Sequence, residues 1–160
     1  MRKVLFLAAL VMGLTVTGPA WAASIDDAPV SVPVVTPQTF TVELEPVPGE
    51  DGSGTAELTV DLAAGTVCYD ITVTGIGVPT EPLAGIGNAH IHSYTKGGAI
   101  AVDLETQFSA VDVAADIYRA VDCVTASRRI LLDILLHPEQ YYINVHTTAF
   151  PGGAVMGDLA

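Results

Sequence analysis

Apolar and polar residues alternate strictly in several short stretches of this chain. Residues 55–62, TAELTVDL, are the cleanest: Ala56, Leu58, Val60 and Leu62 fall on one side, and Thr55, Glu57, Thr59 and Asp61 on the other. A period of two marks a strand with one buried face, because successive side chains of an extended chain point to opposite sides. TFTVELE, residues 39–45, alternates in the same way and predicts a first strand; the turn-rich VPGEDGSG, residues 47–54, separates the two. Ala63-Ala64-Gly65 reads as a hairpin turn, with TVCYDITVTGI, residues 66–76, as the returning strand. Its inward set is either Val67, Tyr69, Ile71 and Val73 or the opposite set with Cys68, and periodicity leaves both open.

Further along, VPTEPLAGIG (78–87) reads as a loop, NAHIHSY (88–94) as a strand, Lys96-Gly97-Gly98 as a turn and AIAVDL (99–104) as another strand. Residues 105–126 are expected to form a partly ordered excursion that carries Cys123. SRRILLDILL, residues 127–136, is the one helix candidate: Ile130, Leu131, Ile134 and Leu135 share a face at helical spacing. Ser127 or Thr125 is placed to cap its start, and Pro138 ends it. YYINVHTTAF (141–150) predicts a late strand, Pro151-Gly152-Gly153 a turn, and AVMGDL (154–159) a closing strand. Short strands at regular spacing joined by turns predict an all-β, antiparallel β-sandwich, an immunoglobulin-like or superoxide-dismutase-like barrel. The one short helix is expected to plug an end or lie across an edge.

Composition agrees. Of 160 residues, 50% are hydrophobic and 15% charged, which is too apolar for a disordered chain and long enough for one core. The net charge is −12, with six Lys and Arg in total. Nucleic acid is therefore not an expected partner, since phosphate binding needs clustered cations, and an anionic membrane surface is disfavoured for the same reason.

The N-terminus reads as an export signal. Arg2 and Lys3 precede an apolar run from Val4 to Val16, Gly18 and Pro19 break it, and Ala20-Trp21-Ala22 supplies small residues for a peptidase. The run is too short to span a bilayer comfortably, so no membrane insertion is expected after cleavage. The cut is expected after Ala22 or Ala23, and no Cys stands there to take a lipid. Losing residues 1–22 moves the net charge from −12 to −14, since Arg2 and Lys3 leave and no acid does. ASIDDAPVSVPVVTPQ, residues 23–38, then reads as an extended, Pro-rich leader. Export places Cys68 and Cys123 in an oxidising compartment, where they are free to pair; two lone thiols are the alternative. A metal site on these cysteines is not expected, because they lack close spacing with each other or with His.

Two segments carry chemistry. His90 and His92 stand two apart on a predicted strand and so share a face, while Ala89 and Ile91 face the core. On the late strand Tyr142, Asn144, His146 and Thr148 share a face, opposite Ile143 and Val145. Both strands are expected to expose the polar face. If the strands are neighbours, three imidazoles converge, and three neutral imidazoles suit copper or zinc. The other reading is structural: His90, His92 and His146, with Asn88, Asn144 and Tyr142, form a hydrogen-bonded polar face that fixes register and loop shape. Asp103 and Asp158, on presumed adjacent strands, are candidates to hold a His N–H from behind the ligands. His137 reads as a surface cap at the helix end. No Gly-x-Ser-x-Gly elbow and no phosphate-cradling glycine loop occurs, and no pair among the 18 acids stands out.

Three segments resemble a known family. AHIH at 89–92, with the Gly turn and AIAVDL after it, is similar to the first signature of the CHRD (chordin-type) domain; PEQYYINVHTTAFPGGAVMGDL at 138–159 is similar to its second. GSGTAELTVDLAAGTVCYDITV at 52–73 looks like its early hairpin. The resemblance covers roughly residues 39–160. It departs at Ser93, where the family has Gly, at Met156, where it has Arg, and at Asp158, where it has Gln. The lost Arg puts a salt bridge or anion contact common in the family in doubt here. The resemblance implies an extracellular β-sandwich that serves as a binding or structural module; with the export signal and the lack of a catalytic constellation, the first expectation is a secreted, non-enzymatic module for an extracellular protein or glycan, with no cofactor. The alternative is a copper- or zinc-binding protein using His90, His92 and His146, with redox activity open to it. The HIH and NVH arrangement is also similar, as a site and not as a sequence, to the copper ligands of the copper/zinc superoxide dismutase sandwich.

Overall fold

The structure, a computed structural model, describes residues 36–77 and 88–160. The expected signal peptide (1–22), nearly all of the leader (23–38) and the loop at 78–87 lie outside the described residues.

The alternating segments form a meander of β1 (Gln38–Pro46), β2 (Ser53–Asp61) and β3 (Thr66–Thr74). Val42 and Leu44, then Ala56, Leu58 and Val60, then Val67, Tyr69, Ile71 and Val73 are buried, so β3 turns its first set inward and Cys68 outward. The β2–β3 turn closes through Gly65, whose φ of +76° suits a residue without Cβ and whose N–H reaches the Asp61 carbonyl at 2.8 Å. The chain continues through β4 (Ala89–Ser93), β5 (Ala99–Asp103), β6 (Ser109–Asp112), β7 (Ile117–Thr125), α1 (Arg128–Leu136), β8 (Tyr141–Val145) and β9 (Val155–Asp158).

Among the described residues all strand pairs are antiparallel, and the nine strands run β5-β4-β8-β9-β1-β2-β3-β7-β6. The expected all-β class is met by one curled sheet. β1 makes the bend: Gln38–Leu44 pair with β2, while Glu45 and Pro46 pair with β9. The curl brings Leu58 and Ile71 of one half together with Ile91 and Ile143 of the other in a single buried cluster. Burial of such side chains contributes roughly 1.5–3 kcal/mol each and is the main force holding the halves together.

Two expectations are corrected. Residues 105–126 are not a loose excursion: they contain β6 and β7, and β7 pairs with β3 from Thr66↔Thr125 to Thr74↔Ile117. Tyr118 and Ala120 supply its inward face, but Val121 is exposed, so the polar half of the alternation is blurred. Secondly, Ser127 does occupy the helix N-cap, yet its side chain makes no capping bond; its carbonyl accepts from Ile130 and Leu131 instead. The helix buries Leu131 and Ile134. Arg128 ties it to the β2–β3 turn by donating to the carbonyls of Leu62 (3.2 Å) and Ala63 (2.9 Å), and the Tyr141 hydroxyl donates to the Asp133 carboxylate.

Cys68 and Cys123 stand directly opposite in the β3–β7 ladder and are joined by a disulfide. The bond closes a loop with a sequence separation of 55 and crosslinks the outer face of that half of the sheet.

Candidate metal centre

The β4–β8 pairing places the histidines. Ala89, Ile91, Ile143 and Val145 go to the core, which leaves His90, His92, Asn144 and His146 on the other side of the sheet. The register sets His90 opposite Asn144 and His92 opposite Tyr142. His146, one residue past β8, is fixed by its backbone N–H, which donates to the Asn88 carbonyl at 2.7 Å. The three rings lie together: His90 is 4.9 Å from His146 and 5.4 Å from His92 by centroid, and His92 is 5.9 Å from His146. One ligand nitrogen from each lies within 4.8 Å of the others.

This face is buried, which corrects the expectation that it is exposed: His90, His92 and His146 are only 3%, 8% and 6% accessible, and Asn88 and Asn144 are buried with them. A cover comes from the loop after β8. Its Pro151 carbonyl accepts from His146 Nδ1 at 3.1 Å, and its Gly152 carbonyl accepts from the Asn144 amide at 3.3 Å. His92 Nδ1 donates to the Gly98 carbonyl at 2.8 Å.

These bonds define the tautomers. A carbonyl can only accept, so Nδ1 carries the proton in both His92 and His146, and the lone pair of each neutral ring resides on Nε2. Both Nε2 atoms are buried and have no hydrogen-bond partner among the described residues. A backbone carbonyl on Nδ1, which leaves Nε2 as the ligating atom, is the usual way an outer partner orients a metal-binding His. His90 has a carboxylate beside it instead: its Nε2 is 3.9 Å from Asp103 Oδ1, and the two residues face each other in the β4–β5 register. Asp103 is held in turn by the Glu105 N–H at 2.9 Å.

Burial lowers the pKa of His146 below the ordinary imidazole value; its bond to Pro151 works the other way, and neighbouring His92 adds to the lowering. The neutral form, which is the ligating one, is therefore favoured.

Asp158 does not serve a histidine. It accepts from the Tyr94 hydroxyl at 2.6 Å, and burial followed by this bond pushes the Tyr94 phenol up to about 12. Tyr142 stacks on His92 at 5.1 Å with the planes 14° apart. Thr148 is exposed and lies outside the cluster. His137 sits at the helix C-terminus, half exposed, 3.7 Å from Glu139, as a surface cap would. The carbonyls of Gly98 and Pro151, and Tyr94, were not legible as parts of the site. Their one signal is the pair of glycine turns, Lys96-Gly97-Gly98 and Pro151-Gly152-Gly153, each close in sequence to a histidine-bearing strand.

A family model described as the CHRD domain matches residues 23–159. Comparison with curated proteins and with solved structures gave no match.

Proposed function

Since this chain belongs to the CHRD-domain family, an extracellular-type module, we propose that it is exported and acts as a non-enzymatic binding module that holds one copper or zinc ion between His90, His92 and His146. The observation that carries this reading is the pair of buried Nε2 lone pairs on His92 and His146, unpartnered among the described residues while each Nδ1 is engaged by a carbonyl, in a cluster whose ligand atoms lie within 4.8 Å of one another. A polar ladder that only fixes register accounts for the Nδ1 bonds. It does not account for two buried acceptors left without donors among the described residues, each of which costs about 1–3 kcal/mol. A metal ion removes that cost, and imidazole nitrogen suits both copper and zinc.

Export is supported by the signal over residues 1–22, with cleavage after Ala22 or Ala23, and by the Cys68–Cys123 disulfide, which belongs in an oxidising compartment. Among the described residues no helix is long and apolar enough to cross a membrane.

Calorimetric titration with copper(II) and zinc(II) tests the reading. One ion per chain is expected for the wild type and none for the His90, His92, His146→Ala triple variant, after circular dichroism has shown that variant to be folded. A folded wild type that binds neither ion overturns the metal reading and leaves the histidines as a structural ladder.

A further inference from the structure

The three histidines are too deeply buried for a macromolecule or a bulky reductant to touch an ion between them. Yet an aromatic path leads outward from one of them. The His92 ring stacks on Tyr142 at 5.1 Å, and Tyr142 packs on Tyr94 at 4.4 Å with the planes 31° apart. Tyr94 is 47% exposed and is steadied by its hydroxyl bond to Asp158. The backbone sets this path: Tyr142 lies opposite His92 on one side and opposite Asp158 on the other. Tyr94 lines an open groove of about 410 Å³ together with Glu43, Glu45 and Asp158.

We propose that Tyr142 and Tyr94 carry electrons between a copper ion held by the histidines and a cationic one-electron reductant that docks in the acidic groove over Tyr94. This rests on the metal reading above and names the partner class of that site. Electron tunnelling weakens exponentially with distance, and far more steeply across empty space than across intervening atoms. Stacked rings are thus the efficient way out of a closed pocket. The step balances simply: copper(II) gains one electron and becomes copper(I), and the reductant loses one. No bond forms or breaks in either tyrosine, and the Tyr94 proton stays on its oxygen. The reductant should be cationic because three carboxylates line the groove and the whole chain carries −12.

Stopped-flow reduction of the copper(II)-loaded protein is the test, with hexaammineruthenium(II) as the cationic reductant and ascorbate as the anionic one. Tyr94→Leu should load one copper and be reduced at least several-fold more slowly by hexaammineruthenium(II), while Tyr94→Phe, which keeps the ring, should retain the wild-type rate. Glu43→Gln/Glu45→Gln should slow the cationic reductant by about tenfold at low salt and leave ascorbate unslowed. Equal rates for wild type and Tyr94→Leu overturn the electron path while leaving the metal site standing. If Tyr94→Leu fails to load copper, the charge variant decides, and equal rates there overturn the docking of a cation. A wild type that takes up no copper, seen before any reductant is added, overturns the metal reading and this inference with it.

Discussion

Gly153 and Asn144 are packed so closely that a Cβ on Gly153 would lie 2.3 Å from the Asn144 side-chain oxygen and 2.5 Å from its nitrogen. Gly153 also has a φ of +119°, which L side chains rarely adopt. The contact joins the loop covering the histidines to the strand that carries them, because Asn144 stands opposite His90 and donates to Gly152.

Gly153→Ala should therefore push the loop off Asn144 and pull the Pro151 carbonyl from His146. A loss of about 1–3 kcal/mol in stability is expected, with metal affinity reduced about tenfold. Gly152→Ala is the control: nothing lies within 4 Å of a Cβ there, and its φ is ordinary. Thermal melts and calorimetric titration of both variants check this; similar losses in the two would mean that the Gly153 contact is not what holds the site.

Asp103 is the carboxylate beside His90, so its charge offsets that of a bound ion and steadies the ring. Asp103→Asn keeps an oxygen for the Glu105 N–H and should weaken zinc binding by about 10–100-fold with little change in the melting temperature of the metal-free protein. Asp158→Asn, which keeps an oxygen for the Tyr94 hydroxyl and removes a charge that contacts no histidine, should leave zinc affinity unchanged. Zinc titrations of the two variants separate the roles, and equal affinities would remove Asp103 from the site.

The histidine cluster was legible because a period of two puts His90 and His92 on one face whatever the tertiary fold, and the same rule holds for Tyr142, Asn144 and the register of β8. That β4 and β8 are neighbours is a long-range pairing that no local pattern states. Burial of the site was misjudged because its cover, the Pro151 and Gly152 carbonyls, is backbone, and backbone groups have no signature in residue types. β7 escaped for a different reason. Its outward positions include Val121 and Cys123, so the alternation reads as noise until β3 supplies the partner that pairs Cys68 with Cys123.

The disulfide closes a loop of sequence separation 55, and the chain-entropy model gives it about 4 kcal/mol of stabilisation through the unfolded state. Cys68→Ser/Cys123→Ser should lower stability by up to that amount while leaving the β3–β7 ladder and metal stoichiometry intact, because the bond lies on the outer face of the other half of the sheet. Urea unfolding with and without reductant measures the loss. A variant that no longer binds metal though folded would show that the two halves are more tightly coupled than their separate hydrogen-bond networks imply.

The metal-free protein should become less stable in acid partly through His146. Its folded pKa lies below the ordinary 6.5, with burial the largest cause. Between the folded and unfolded values the unfolded chain holds a proton that the folded one lacks, so lowering the pH favours unfolding. The contribution from burying a neutral ring is thus fully present above pH 6.5 and is lost as the pH falls through the folded value. Carboxylates titrate lower and add their own slope, so the comparison has to be between wild type and His146→Gln, with urea midpoints taken on both sides of 6.5. The wild type should lose stability relative to the variant on the acid side. Saturating zinc should carry that loss to lower pH, because the ion competes with the proton for Nε2. Parallel curves for the two proteins without metal would show that His146 does not titrate differently on folding, and a zinc-independent acid limb would mean that no ion reaches its Nε2.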